Sequence, residues 1–118
     1  QRLIREELVF VAWADGVLTG VMALLSRDPR WPNGDDGKAY YVHHLATSPS
    51  CPGLGKVMLA YAEDFARERG KPFLRLDSQK VNDTLSHYYE ALGYLSAGEC
   101  VDGAYVGILR EKSLFPST

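Results

Sequence analysis

The segment Ser50-Cys51-Pro52-Gly53-Leu54-Gly55-Lys56 sets two glycines and a lysine at the head of a run with helical spacing. A helix N-terminus offers unpaired N–H donors and about half a positive charge, and glycine lets backbone close on a phosphate without interference from Cβ. Lys56 adds a side-chain cation. Anion binding is the chemistry this spacing suggests, with an ordinary turn as the simpler account. A Walker loop would need Gly at position 50 and Ser or Thr at 57, where Ser50 and Val57 stand. A dinucleotide fingerprint would need a third glycine at 58, which is Met58. His43 and His44 are neighbours in a strand-like run, so alternation points them to opposite faces and lets only one look into a cleft. That alternation groups His43 with Tyr41, Leu45 and Thr47. Tyr88 and Tyr89 lie with Leu85 and Leu92 on an apolar stripe, and read as core side chains. Asn82 suits a helix cap, and Asp28, Asp35 and Asp36 fall in a loop that reads as solvated. No cysteine or carboxylate accompanies the histidines at ligand spacing, so no metal site is expected. Cys51 and Cys100 are too few for a disulfide framework or a four-thiolate zinc site.

The elements that must position these residues are legible from periodicity. Leu8–Ala14 and Val17–Leu25 are strand-like runs separated by Asp15-Gly16, a pair that tolerates positive φ and suits a two-residue hairpin turn. Asp28 to Gly37 holds two prolines and two glycines and reads as a long surface loop. Ala39–Thr47 is a third strand, closed by Ser48-Pro49. From Leu54 the apolar residues Leu54, Val57, Met58, Tyr61, Ala62 and Phe65 recur at helical spacing, and Gly70 with Pro72 ends the helix. Phe73–Asp77 is a short strand, so positions 39 to 77 form a strand, helix, strand unit joined by a right-handed crossover. A second helix runs from an Asn82 or Asp83 cap to Gly93. Tyr94–Glu99 and Ala104–Glu111 then form a closing hairpin around Val101-Asp102-Gly103. The fold class is therefore α/β, a mixed and mostly antiparallel sheet with one central parallel β-α-β crossover, in the order β-β-β-α-β-α-β-β. Gln1–Glu7 has helical propensity but is too short to stand alone.

Composition bounds the rest. The 118 residues, 46% apolar and 24% charged, suit one domain over residues 1–118. A formal charge of −2 argues against binding to nucleic acid or an anionic membrane. The longest apolar run, Leu8 to Ala14, has seven residues where a membrane helix needs about 20. With no charged leader, the expected location is cytoplasmic.

Four stretches in order carry a resemblance: Val42-His43-His44-Leu45-Ala46-Thr47-Ser48-Pro49, the Gly53-Leu54-Gly55 helix start, Leu74-Arg75-Leu76-Asp77, and the run from Asn82 through Tyr88-Tyr89 to Gly93-Tyr94. Together they resemble the GNAT superfamily of acyl-CoA-dependent N-acyltransferases. The resemblance implies acetyl-CoA as co-substrate, lying where the strand of Leu45 parts from the strand of Leu76. Its pyrophosphate would rest on the amides of Gly53, Leu54, Gly55, Lys56 and Val57, and its pantetheine would pair with the backbone of Leu45, Ala46 and Thr47. Asn82 would touch it as well as cap its helix. Tyr89, four residues before Gly93, matches the tyrosine that protonates the departing thiolate, and His43 matches a histidine that assists amine deprotonation. The acceptor implied is a primary amine of a small molecule or peptide. The sequence departs from the pattern at Ser50, Cys51 and Pro52, where the family usually places Arg or Gln, glycine and a basic residue. That departure keeps an acyl-CoA-binding module without turnover as the alternative. The family also opens with a further strand and two helices, so the domain is expected to be incomplete at its N-terminal end. A second copy of the chain is one source of the missing wall.

Overall fold

The computed structural model describes residues 7 to 115. The strands are β1 (Glu7–Ala14), β2 (Val17–Leu25), β3 (Ala39–Thr47), β4 (Phe73–Gln79), β5 (Leu95–Asp102) and β6 (Tyr105–Ser113). Between them run α1 (Leu54–Glu68) and α2 (Asp83–Ala91). They form one sheet in the order β1-β2-β3-β4-β6-β5, antiparallel except for the central β3–β4 pair. This is the expected mixed α/β class and element order. β4 and β6 each run two residues further than expected, and the last turn falls on Gly103-Ala104 because Asp102 already pairs with Tyr105. Of the helical propensity expected over Gln1–Glu7, only Glu7 lies among the described residues, and it begins β1.

Local chemistry explains the boundaries. Asp15 and Gly16 adopt φ of 53° and 76°, the left-handed pair that a tight hairpin turn requires. Gly70, at φ 74°, ends α1, and the following Lys71 N–H reaches back to the Ala66 carbonyl at 3.0 Å. Asn82 caps α2 by accepting from the Leu85 N–H at 3.0 Å.

The sheet has two differently covered faces. Met22, Leu24, Val42, Leu74 and Leu76 meet Met58, Leu59 and Ala62 of α1, with Tyr89 and Leu92 packed against the same cluster. On the other face Tyr41, Ala39 and Leu109 meet Trp31 of the loop over residues 28–37. That loop departs from the sequence reading. It is seated on the sheet, with Trp31 only 5% exposed, because Arg75 lies buried beneath it. The Arg75 guanidinium donates to the Tyr41 hydroxyl at 2.6 Å and to the Asp36 and Glu111 carboxylates, and it stacks near the Trp31 ring.

Candidate active site

Two strand irregularities build the site. The parallel pairing of β3 with β4 covers only Ala39–Phe73, Tyr40–Leu74 and Tyr41–Arg75. Beyond it the strands part, leaving the β4-facing backbone of Val42–Thr47 without a strand partner and opening a gap through the sheet. The second irregularity is a bulge in the β2–β3 pairing, where Ala23 faces His43 but Val21 faces Ala46. His44 absorbs the extra residue with φ 56°, a left-handed conformation that histidine adopts more readily than most residues.

The bulge corrects the strand alternation read from the sequence. His43 shares the loop face with Tyr41, whereas Leu45 packs with Tyr40 and Val42 against the helix-face core. Thr47, opposite Gly20 and close to α1, follows Leu45. Both histidines line the same cavity, with ring centroids 5.9 Å apart, so the expectation that only one could do so also fails. One extra residue shifts the period-two pattern, and nothing local in the sequence announces it.

That cavity, of about 340 Å³, is lined by Arg30, His43, His44, Leu45, Asp77, Tyr89 and Tyr105 among others. A neighbouring cleft of about 460 Å³ runs past Leu45, Thr47, Ser48, Gly53, Gly55, Asn82, Tyr88 and Tyr89. Leu45 and Tyr89 belong to both. Tyr89 enters from the helix face and His43 from the loop face, and they reach one chamber because the sheet is open between β3 and β4.

The cleft brings together Leu45, Thr47, Gly53, Gly55, Asn82 and Tyr89 of the expected set. Leu54 and Val57 line a separate apolar depression with Phe10 and Met22, and their N–H groups already donate to the Cys51 and Gly53 carbonyls at 3.2 Å, so of the expected amides those of Gly53, Gly55 and Lys56 are left for the cleft. Ala46 and Lys56 are exposed and lie outside its lining. Helix α1 starts with Gly53 at φ 86°, no side-chain cap and no acidic residue in its first turn. Its first bond of α type runs from the Val57 N–H to the Gly53 carbonyl, so the amides ahead of it carry the positive end of the helix. The Tyr88 hydroxyl lies 3.4 Å from where a Cβ on Gly55 would sit, so the phenol and the bare glycine together shape the entrance. These features suit an anion on the loop and an extended chain along the open edge of β3, and coenzyme A combines the two.

Electrostatics divide the chamber. Burial raises the Tyr89 phenol above its ordinary value, and no hydrogen bond engages its hydroxyl among the described residues. His43 Nε2 stands 2.6 Å from Asp28 Oδ2, and this hydrogen bond raises the imidazole above its ordinary value against the opposing effect of burial. Burial alone would raise Asp28. The hydrogen bonds from His43 and from the Arg30 N–H outweigh it and hold the carboxyl below the usual range. The Asp28 side chain is 4% exposed, which overturns the reading of a solvated aspartate. Asp77 accepts from the Tyr105 hydroxyl at 2.6 Å and from Arg30 at 3.3 Å, and Arg30 also reaches Asp102 at 3.1 Å. The sequence reading found no carboxylate at ligand spacing from the histidines. Here the ring nitrogens and carboxylate oxygens of Asp28, His43 and Asp77 include a set within 4.8 Å of one another. The guanidinium of Arg30 supplies the countercharge. The meeting of Asp28 and Asp77 with His43 escaped the sequence reading because each is brought to the histidine from a distant part of the chain. His87 is exposed on α2, away from both cavities. No helix of the described residues is long and apolar enough to cross a membrane.

Comparison with known proteins converges on this architecture. Residues 1–94 match the model of the acetyltransferase (GNAT) family. Among curated proteins the chain is similar to the uncharacterized N-acetyltransferase YesJ of Bacillus subtilis (strain 168), 33% identical over 105 residues. That match covers 83% of this chain and spans 58% of the relative's length. Among solved structures, nourseothricin acetyltransferase superposes with a TM-score of 0.74 at 21% identity, covering 94% of this chain and 67% of that one. The PaiA N-acetyltransferase of Thermoplasma acidophilum, in complex with coenzyme A, superposes at 0.70 with 22% identity, covering 92% of this chain and 61% of that one. With most of the sequence accounted for and the parted strand pair present in the fold, the chain belongs to the acetyltransferase (GNAT) family.

Proposed function

We propose that the chain is the acetyl-CoA-dependent N-acetyltransferase domain of its protein, moving the acetyl group to a primary amine of a small molecule or peptide by direct attack in a ternary complex. The observation that carries this reading is the meeting of two cavities at Tyr89 and Leu45. One suits an anionic, extended donor, and the other is a polar chamber with a histidine. Bound acetyl-CoA supplies the thioester that is attacked. The uncapped amides at the start of α1 hold its pyrophosphate, and the open edge of β3 from Leu45 to Thr47 pairs with its pantetheine. Asn82 borders the same cleft.

An alkyl amine has a pKa of about 10.4, so at pH 7 on the order of one molecule in a thousand is neutral. His43 is the group in the chamber suited to take the proton. Tyr89 faces the opposite need, a proton for the departing thiolate. Burial keeps its phenol protonated at neutral pH, and a thiolate in the same desolvated place is more basic than in water, so the transfer remains well matched. Cys51 lines the donor cleft near the glycine loop and is absent from the lining of the His43 chamber, so no acyl-cysteine step is invoked.

Tyr89→Phe tests the assignment. Turnover, followed as CoA release across a panel of amines, is expected to fall at least about tenfold, the low end for loss of a proton donor. The thermal shift produced by acetyl-CoA stays as in the wild type. Equal turnover in the two proteins refutes the role of Tyr89. A melting shift without turnover for any amine favours a binding module, the reading motivated by Pro52, which has no N–H to offer, and by Ser50 in place of a cation.

A further inference from the structure

The loop that carries Asp28 is closed on itself. The Asp28 N–H donates to the Gly34 carbonyl at 3.0 Å, the Trp31 N–H to the Asp28 carbonyl at 3.2 Å, and the Gly34 N–H to the Trp31 carbonyl at 3.2 Å. The Arg30 N–H donates to Asp28 Oδ1 at 2.9 Å, fixing one carboxylate oxygen and leaving Oδ2 for His43 at 2.6 Å. An ionised carboxylate only accepts hydrogen bonds, so Nε2 must carry the proton of the neutral ring. The other nitrogen, Nδ1, has no partner among the described residues, and His43 lines the chamber shared with Tyr89.

The charged and titratable groups that face His43 are few. The loop brings Asp28 and Arg30, β4 brings Asp77, β6 brings Tyr105, β3 brings His44, and α2 brings Tyr89. Arg30 and Tyr105 are both engaged with Asp77. Asp28 is the carboxylate in direct contact with the ring.

Resting on the reading of His43 as proton acceptor, we propose that Asp28 is its positioning residue: by accepting Nε2–H it makes Nδ1 the atom that takes the acceptor ammonium's proton. The N–H bond of the ammonium breaks and an Nδ1–H bond forms. The resulting imidazolium is balanced by Asp28, which stays ionised, and the proton later leaves to water. No redox change is involved.

Nitrogen-resolved NMR of the His43 ring, followed with pH alongside turnover, is the test. In the wild type the neutral ring is expected as the Nε2–H tautomer, with a titration midpoint above that of a free histidine. Asp28→Asn is expected to lower the midpoint, to replace the Nε2–H tautomer and to cut kcat/KM at least about tenfold, the low end for impaired general-base catalysis. On a His43→Gln background the same change is expected to cost less than about twofold, because the two residues act as a unit. An unchanged midpoint and tautomer in Asp28→Asn overturn the proposal, while Tyr89-dependent turnover would leave the enzymatic reading standing. Absence of turnover in the wild type, with His43 behaving as described, overturns both. Should Asp28→Asn not fold, the wild-type spectrum still decides, since a neutral Nδ1–H ring contradicts the proposal.

Discussion

Gly34→Ala is a small change with a large expected effect, because the space it needs is filled by backbone. A Cβ built on Gly34 falls 1.8 Å from the Asp28 carbonyl oxygen, 2.8 Å from its carbonyl carbon and 3.2 Å from Trp31 Cβ. An ordinary C···O approach is about 3.3 Å or more, so the two sides of the loop must part by roughly 1.5 Å. No rotamer change relieves this. The bond from the Asp28 N–H to the Gly34 carbonyl and that from the Trp31 N–H to the Asp28 carbonyl both lie in the path of the movement. Losing two such bonds costs about 1–3 kcal/mol, and partial exposure of Trp31 adds about 1 kcal/mol more. An unfolding entropy of about 2.1 cal/mol/K per residue gives roughly 0.25 kcal/mol per kelvin for a chain of this length. The loss of about 2–4 kcal/mol therefore predicts a melting temperature roughly 8–16 °C lower. Gly37→Ala is the control: its φ is 75°, but nothing lies within 4 Å of the added Cβ. It should cost only the left-handed strain of about 1–2 kcal/mol, or roughly 4–8 °C. Calorimetric melting of the three proteins, with the His43 ring titration as a second readout, makes the comparison. A Gly34→Ala protein that melts within about 2 °C of the wild type and keeps the His43 midpoint refutes the rigid seat given to Asp28.

Asn82→Ala removes the acceptor of the Leu85 N–H and should destabilise the protein by about 1 kcal/mol in urea unfolding, while Asn82→Asp should restore the loss. A stability equal to the wild type in the Ala protein would discard the cap. If Asn82 also touches the co-substrate, the Ala protein loses part of its acetyl-CoA thermal shift in addition. The His43–Asp28 contact predicts a signed pH dependence of stability. The folded His43 value is raised, so its contribution is fully present below the ordinary 6.5 and is lost as pH rises through the folded value. The folded Asp28 value is lowered, so its contribution is present above the ordinary 3.8 and is lost as pH falls through the folded value. The stability advantage of wild type over His43→Gln, measured in urea, should accordingly shrink between pH 6 and pH 9. A growing advantage would contradict the contact.

The hairpin turn, the glycine that ends α1 and the cap of α2 are short-range features, and they were readable. Asp15-Gly16, Gly70 and Asn82 each adopt the conformation or bond that their types require. The glycine loop was placed correctly at the start of α1, and the cleft residues Leu45, Thr47, Gly53, Gly55, Asn82 and Tyr89 do come together. The face assigned to His43 relative to Leu45 failed at one residue, His44. The loop over residues 28–37 was judged by its prolines, glycines and aspartates, yet its seat depends on Arg75, nearly forty positions downstream.

The sequence by itself determined the order of the elements, the mixed sheet with its single parallel crossover, and the glycine loop at the head of α1, because these follow from periodicity and from contacts between near neighbours in the chain. Only the tertiary structure decided where β3 and β4 part, which face Leu45 takes and which carboxylate meets His43. Those outcomes depend on which distant side chains occupy the same volume, and a bulge or a buried ion pair is stabilised by partners that no local window contains.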